Sequence, residues 1–214
     1  MNSLRQPLPP EKFRPANDVK WAKQLEGKPG FITRGRARGR FAVGIRYEKS
    51  GQEWLELAAL RRNLHYDNGP WFEFGTDTGK RWCQPDALVV DKARKQILIV
   101  EFKYQHTSDA WFQLRQLYLP VVKAAYPGWT FGLVEVVHYF DPSTLWPERV
   151  NCVATLDQCF GAGETVATLI FNKRREHRFL GVGRSGDKGG SEEIGTSGFE
   201  EGSSGFPSPV GFRT

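Results

Sequence analysis

A mixed α/β fold, a central β-sheet flanked by helices, is predicted from three observations in this 214-residue chain. Two short runs rich in β-branched residues, Ala87 to Val90 and Ile97 to Val100, are joined by the polar segment DKARKQ and read as a β-hairpin. Both runs are apolar at every position, the pattern of strands covered on both faces. Amphipathic helical patterns stand before and after them.

Residues 1–33 are rich in proline and charge and read as an N-terminal extension in which VKWAKQLE has the composition of a short helix. In VGIRYEKSGQEWLELAALRRNL, Tyr47, Gly51, Trp54, Leu55 and Ala58 recur at three-and-four spacing, predicting a helix over 44–62 with one apolar stripe. Glu48 borders that stripe and can face the sheet, whereas Glu53 and Glu56 sit among exposed charges. Trp71, Phe72, Phe74 and Trp82 flank the turn TDTGK, which predicts another hairpin; the rings read either as core or as exposed stacking surfaces.

In the main hairpin, strands are expected over 86–91 and 97–103. With the turn centred between Ala93 and Arg94, residues whose numbers sum to 187 stand opposite each other, so Asp86 faces Glu101. Their Cβ atoms would lie roughly 5 Å apart. Lys103 shares a face with Glu101, because side chains alternate along a strand. Downstream, Ser108 suits an N-cap and Asp109 a first helical turn, opening a helix over 109–125 with Trp111, Leu114, Tyr118, Val121 and Ala125 as its stripe. Pro120 is expected to kink or end it early. TFGLVEVVHYF and the later VATLIF read as further strands. From Gly181 the chain is Gly- and Ser-rich, a flexible tail over 181–214 with Phe199, Phe206 and Phe212 as docking anchors for a protein partner or a second copy. The folded domain is thus expected over 34–180.

Two carboxylates opposite each other between apolar strands repel, so something must neutralise them. Two readings are open at this point: a shared proton or a salt bridge with Lys103, or a hard divalent cation held by carboxylate and carbonyl oxygens. At Pro85-Asp86 followed by Glu101-Phe102-Lys103 the chain resembles the PD-(D/E)XK nuclease superfamily. The resemblance covers roughly residues 40 to 140. It implies a restriction-endonuclease-like core, with Asp86, Glu101 and the Phe102 carbonyl binding Mg²⁺ or Mn²⁺ and Lys103 assisting phosphodiester hydrolysis. Lambda-exonuclease-like and RecB-like members carry a further glutamate on the first helix, matched here by Glu48 after Gly44-Ile45-Arg46-Tyr47. RecB-like members also carry Gln-x-x-x-Tyr on the second helix. This chain has Gln113 and Tyr118, five residues apart instead of four, which makes Gln113 the candidate and leaves Tyr118 to the core.

The net charge of +6 is concentrated in RGRARGR (34–40) and NKRREHR (172–178), runs suited to phosphate contacts or to solvated loops. Cys83, Cys152 and Cys159 are odd in number and lack zinc spacing, which fits a reducing cytoplasm. No stretch has the length and apolarity of a membrane span, and the first residues lack a signal-peptide pattern. The histidines are scattered singly; His106, close to the Glu-x-Lys strand, reads either as an ordinary loop histidine or as one that approaches a substrate. The expectation is a metal-dependent deoxyribonuclease acting on single- or double-stranded DNA, from a repair, recombination, phage or mobile-element system. The alternative is a nucleic-acid-binding or virion-assembly protein that keeps the nuclease fold.

Overall fold

The computed structural model describes residues 7–32 and 40–172, with the side chains of Arg40 and Phe41 excepted. Arg34, Arg36 and Arg38, the basic run after Asn172 and the tail from Gly181 lie outside the described residues.

Two sheets form. β1 (Trp21–Leu25), β3 (Trp71–Thr76) and β4 (Gly79–Cys83) make a three-stranded antiparallel sheet in the order β1-β3-β4. The larger sheet contains β2 (His65–Asn68), β5 (Ala87–Asp91), β6 (Gln96–Gln105), β7 (Thr130–Tyr139), β8 (Asn151–Val153) and β9 (Val166–Ile170), in the order β2-β5-β6-β7-β9-β8. In it β2 pairs antiparallel with β5 and β5 antiparallel with β6, whereas β6, β7, β9 and β8 are mutually parallel. Helix α1 (Arg40–Leu60) covers one face. The other face is covered by α2, which spans 108–125 as the consecutive segments Ser108–Phe112, Gln113–Tyr118 and Leu119–Ala125. A short α3 (Leu156–Gly161) joins β8 to β9. This is the mixed α/β architecture expected from the sequence.

The main hairpin keeps the expected register: Ala87 pairs with Val100 and Asp91 with Gln96. Its odd-numbered β6 residues, Ile97 and Ile99, pack with Leu88 and Leu133 beneath Leu114 and Val121 of α2. The even-numbered Leu98, Val100 and Phe102 pack with Val89 and Val134 against Leu55 and Ala59 of α1. α1 ends in a Schellman motif: Asn63 takes a left-handed conformation (φ 56°), its N–H reaches the Leu60 carbonyl, and the Leu64 N–H reaches that of Ala59.

Three local expectations change. VKWAKQLE is not helical; Trp21–Leu25 pairs along β3, because the ladder offers the segment hydrogen bonds and burial that an isolated single turn of helix lacks. Ala16, ahead of it, is buried in the same core, so residues 16–25 are part of the fold. The N-cap of α2 is Thr107 instead of Ser108, with its side chain accepting from the Asp109 N–H. Pro120 does not end α2. Residues 113–118 widen into a π-helical turn, and the Gln116 carbonyl, whose usual α-helical donor would be residue 120, accepts from the Ala16 N–H at 2.8 Å. Phe72 and Phe74 are fully buried, settling those two rings as core.

Gly51 marks where α1 meets the site strand: a Cβ built there would lie 2.4 Å from the Phe102 ring. Gly51→Ala gains about 1 kcal/mol of helix propensity but displaces a buried ring, which costs about 1–3 kcal/mol. The expected outcome is a lower urea midpoint for the variant, with the slope of the transition unchanged.

Candidate active site

The site begins where the β5–β6 ladder stops. In an antiparallel ladder, alternate residues exchange both N–H···O bonds with the residue opposite. Extending the register by two places sets Phe102 opposite Pro85, which has no N–H to give. The Phe102 N–H, whose ladder acceptor would be the Pro85 carbonyl, donates to the Asp86 carboxylate, to Oδ2 at 2.7 Å. Its carbonyl faces the same gap, at a ladder position without a donor. The pairing thus ends here: Pro85 leaves the Phe102 carbonyl without a donor, and Asp86 holds the Phe102 N–H.

Glu101 is buried, and its Oε1 accepts from Lys103 Nζ at 2.5 Å; the other oxygen, Oε2, is buried without a hydrogen-bond partner. Glu48 and Gln52 come from α1. Gln52 Nε2 donates to Glu48 Oε1 at 3.2 Å and to the Asp86 carbonyl at 3.3 Å, tying the helix to the strand end. Gly69 N–H also donates to the Asp86 carbonyl, at 2.9 Å, and Gln84 Nε2 to the Gly69 carbonyl, at 2.7 Å. Together Glu48, Gln52, Asn68, Gly69, Gln84 and Asp86 line a polar recess of about 250 Å³.

Burial, then the charges of Glu101 and Glu48, holds the Asp86 pKa well above the ordinary aspartate value, although the Phe102 N–H and Lys103 pull the other way. For Lys103, burial favours the neutral amine, but Glu101, Asp86 and Asp109 together outweigh it and raise the pKa. Lys103 therefore stands as an ammonium among carboxylates. The salt-bridge reading of Glu101 and Lys103 is what the structure holds. No three His, Cys, Asp or Glu side chains among the described residues already close on a common point.

The π-helical turn resolves the irregular spacing of Gln113 and Tyr118. In an α-helix, residues five apart diverge by roughly 140° around the axis. A turn closed i→i+5 brings them back to one side, and Gln113 Nε2 donates to the Tyr118 hydroxyl at 3.5 Å. Tyr118 is buried with its hydroxyl beside Glu101; burial, then the Glu101 and Asp86 charges, keeps its proton firmly in place. Tyr118 belongs to the core and the site at once.

No family model, curated protein or solved structure matches this chain. Its chemistry is therefore read from the site itself.

Several polar residues of the site are not singled out by motif. Glu135 on β7 is the parallel-register partner of Glu101 and is fully buried. Its Oε2 lies 2.6 Å from His106 Nδ1, and its Oε1 accepts from the Thr107 N–H at 3.2 Å. Burial pushes its pKa up, with His106, Thr107 and Lys103 opposing. His106, read either as an ordinary loop histidine or as one approaching a substrate, is instead buried between Phe140 and Trp146. A lone glutamate inside the apolar TFGLVEVVHYF was the visible signal for Glu135; Gln52 and Gln84 carried none. Among the described residues no helix is long and apolar enough to cross a membrane, and all three cysteines are free.

Asp86 binds its proton more tightly in the folded protein than in the unfolded chain, so its contribution to stability is complete below pH ~4 and declines as pH rises towards the raised folded value. Asp86→Asn keeps an acceptor for the Phe102 N–H and removes the repulsion. Without divalent metal, the variant should melt roughly 2–4 °C above the wild type at pH 8, a shift of about 1 kcal/mol for a domain of this size, with the gap closing towards pH 4. Thermal melts across that range check it.

Proposed function

We propose that the protein is a metal-dependent nuclease of the PD-(D/E)XK type that hydrolyses phosphodiester bonds of DNA. The observation that carries this reading is the proximity of Asp86, Glu101 and Glu48, near enough for their charges to repel, beside the Lys103 amine where the β5–β6 ladder ends. The donor set fits a hard cation: three carboxylates and the Phe102 carbonyl, all oxygen, with Glu101 Oε2 lacking a partner. Asp86, Glu101, Phe102 and Glu48 would hold Mg²⁺ or Mn²⁺. When bound, such an ion supplies a water of lowered pKa and Lewis-acid stabilisation of phosphoryl charge.

The chain's own groups do the rest. Lys103, kept charged by its neighbours, orients the attacking water and offers hydrogen bonds to a phosphate oxygen. Gln113, through Tyr118, sets the position of the Glu101 carboxylate. Gln52 fixes Glu48 relative to the Asp86 backbone. Arg34, Arg36, Arg38 and Arg40, next to α1 in sequence, suit sequence-independent contact with the phosphate backbone.

One observation favours a second reading. The 2.5 Å Lys103–Glu101 bond already neutralises Glu101, as expected of a nucleic-acid-binding or assembly protein that retains the fold without cutting.

Nicking of circular duplex DNA and digestion of single strands, with Mg²⁺, Mn²⁺ or EDTA, decide between them. Glu101→Gln should lose metal-dependent cleavage by more than a hundredfold and weaken Mg²⁺ binding in calorimetry. Lys103→Ala should lose cleavage to a similar degree while retaining most of the metal affinity. Wild-type protein that binds DNA but never cuts it, or that cuts equally well in EDTA, would overturn the nuclease reading. Substituting the four arginines by serine should lower DNA affinity about equally across sequences and flatten the slope of log affinity against log salt, each lost phosphate contact reducing it by about 0.9 on duplex DNA.

A further inference from the structure

Just beyond Lys103, the carboxyl-terminal ends of the two central strands carry aromatic rings that the fold leaves in the open. Tyr104 on β6 and Tyr139 on β7 are 39% and 54% exposed, and His138 is partly exposed. The Tyr104 and His138 rings stack, with centroids 5.2 Å apart and planes 16° from parallel. Tyr139 stands edge-on to both, at 5.3 Å and 4.2 Å. Buried Tyr47 packs beneath Tyr104 and His138, at 5.9 Å and 5.5 Å, and anchors them to α1. The rings are thus held in place before anything binds.

Beside them opens a cleft of about 290 Å³, near the scale of a small-ligand site. Its lining includes Tyr47, Tyr104, His138 and Phe171, with the Arg46 side chain as a cation and no carboxylate among the described residues. An aliphatic partner surface would be served as well by leucines. Flat rings with a cation and no acid suit a planar, electron-rich group attached to an anion, and Tyr104 directly follows the lysine at the candidate active site.

We propose that Tyr104, His138 and Tyr139, with Arg46, form a stacking platform for an unpaired base. The site would then act on single-stranded DNA, or on a strand end splayed from a duplex. This rests on the nuclease reading and names its substrate class. A base stacked inside a duplex already has both faces occupied, whereas an unpaired base gains by resting on an exposed ring. The platform therefore discriminates by strandedness and not by sequence.

The test separates binding from cutting. Fluorescence anisotropy in EDTA, with labelled oligothymidylate and a labelled duplex, gives the ratio of single-strand to duplex affinity for the wild type, Tyr104→Ala, Tyr139→Ala and Tyr139→Phe. Each alanine variant should lower that ratio by roughly fivefold to a hundredfold, and Tyr139→Phe, which keeps the ring, should hold it near the wild-type value. Thermal melts identify any variant that fails to fold, and exposed Tyr139 remains the informative position if Tyr104→Ala does. An unchanged ratio overturns the platform. A changed sedimentation coefficient with an unchanged ratio also overturns it and marks the patch as an interface between copies. A wild type that cleaves DNA while the ratio is unchanged removes the platform alone. A lowered ratio in a protein that never cleaves with Mg²⁺ or Mn²⁺ keeps the platform and removes the nuclease reading.

Discussion

A single missing hydrogen-bond donor organises the site. The β5–β6 ladder could continue past Ala87 and Val100, but residue 85 is proline and cannot complete the next exchange with Phe102. Asp86 is drawn in by the Phe102 N–H, the Phe102 carbonyl is left at the gap, and Gln52 from α1 bonds the Asp86 carbonyl beside it. The carboxylates then stand together in a partly dry setting, which is unfavourable for the folded protein alone and useful only where a positive charge has to be held. Lys103 supplies part of that charge.

The hairpin register was legible because it depends on two local facts, the length of the polar turn and the apolar pattern on each side. Pairing by the sum of 187 therefore holds from Asp91–Gln96 to Ala87–Val100, one place short of Asp86 and Glu101. α1 was legible from its stripe, although it begins four residues earlier than expected, at Arg40. What escaped detection depended on distant parts of the chain. β1 forms because β3 offers an edge, β2 because β5 does, and neither segment carries a strong periodicity of its own. β8 is three residues long, too short to show a pattern.

The candidate site shows the same division. Asp86, Glu101 and Lys103 lie on one hairpin and could be found by counting. Tyr118 could not, since its place beside Glu101 depends on a helix that departs from 3.6 residues per turn. The Glu135–His106 pair joins the middle of β7 to the residue just past β6 through a buried contact 29 residues apart in sequence. A fully buried carboxylate is tolerated only when its neighbours hold it, and here His106, the Thr107 N–H and nearby Lys103 do so, which extends the polar row from Glu101 across the sheet.

The bond from the Ala16 N–H to the Gln116 carbonyl has a consequence for how the protein tolerates handling. The strap formed by residues 13–16 is held again where Arg81 donates to the carbonyls of Arg14 and Pro15. A protease nick or trimmed terminus within that strap would loosen the very turn that sets Gln113 against Tyr118. Damage at an outwardly dispensable end would be felt first at the Gln113–Tyr118 contact and only later as loss of the fold.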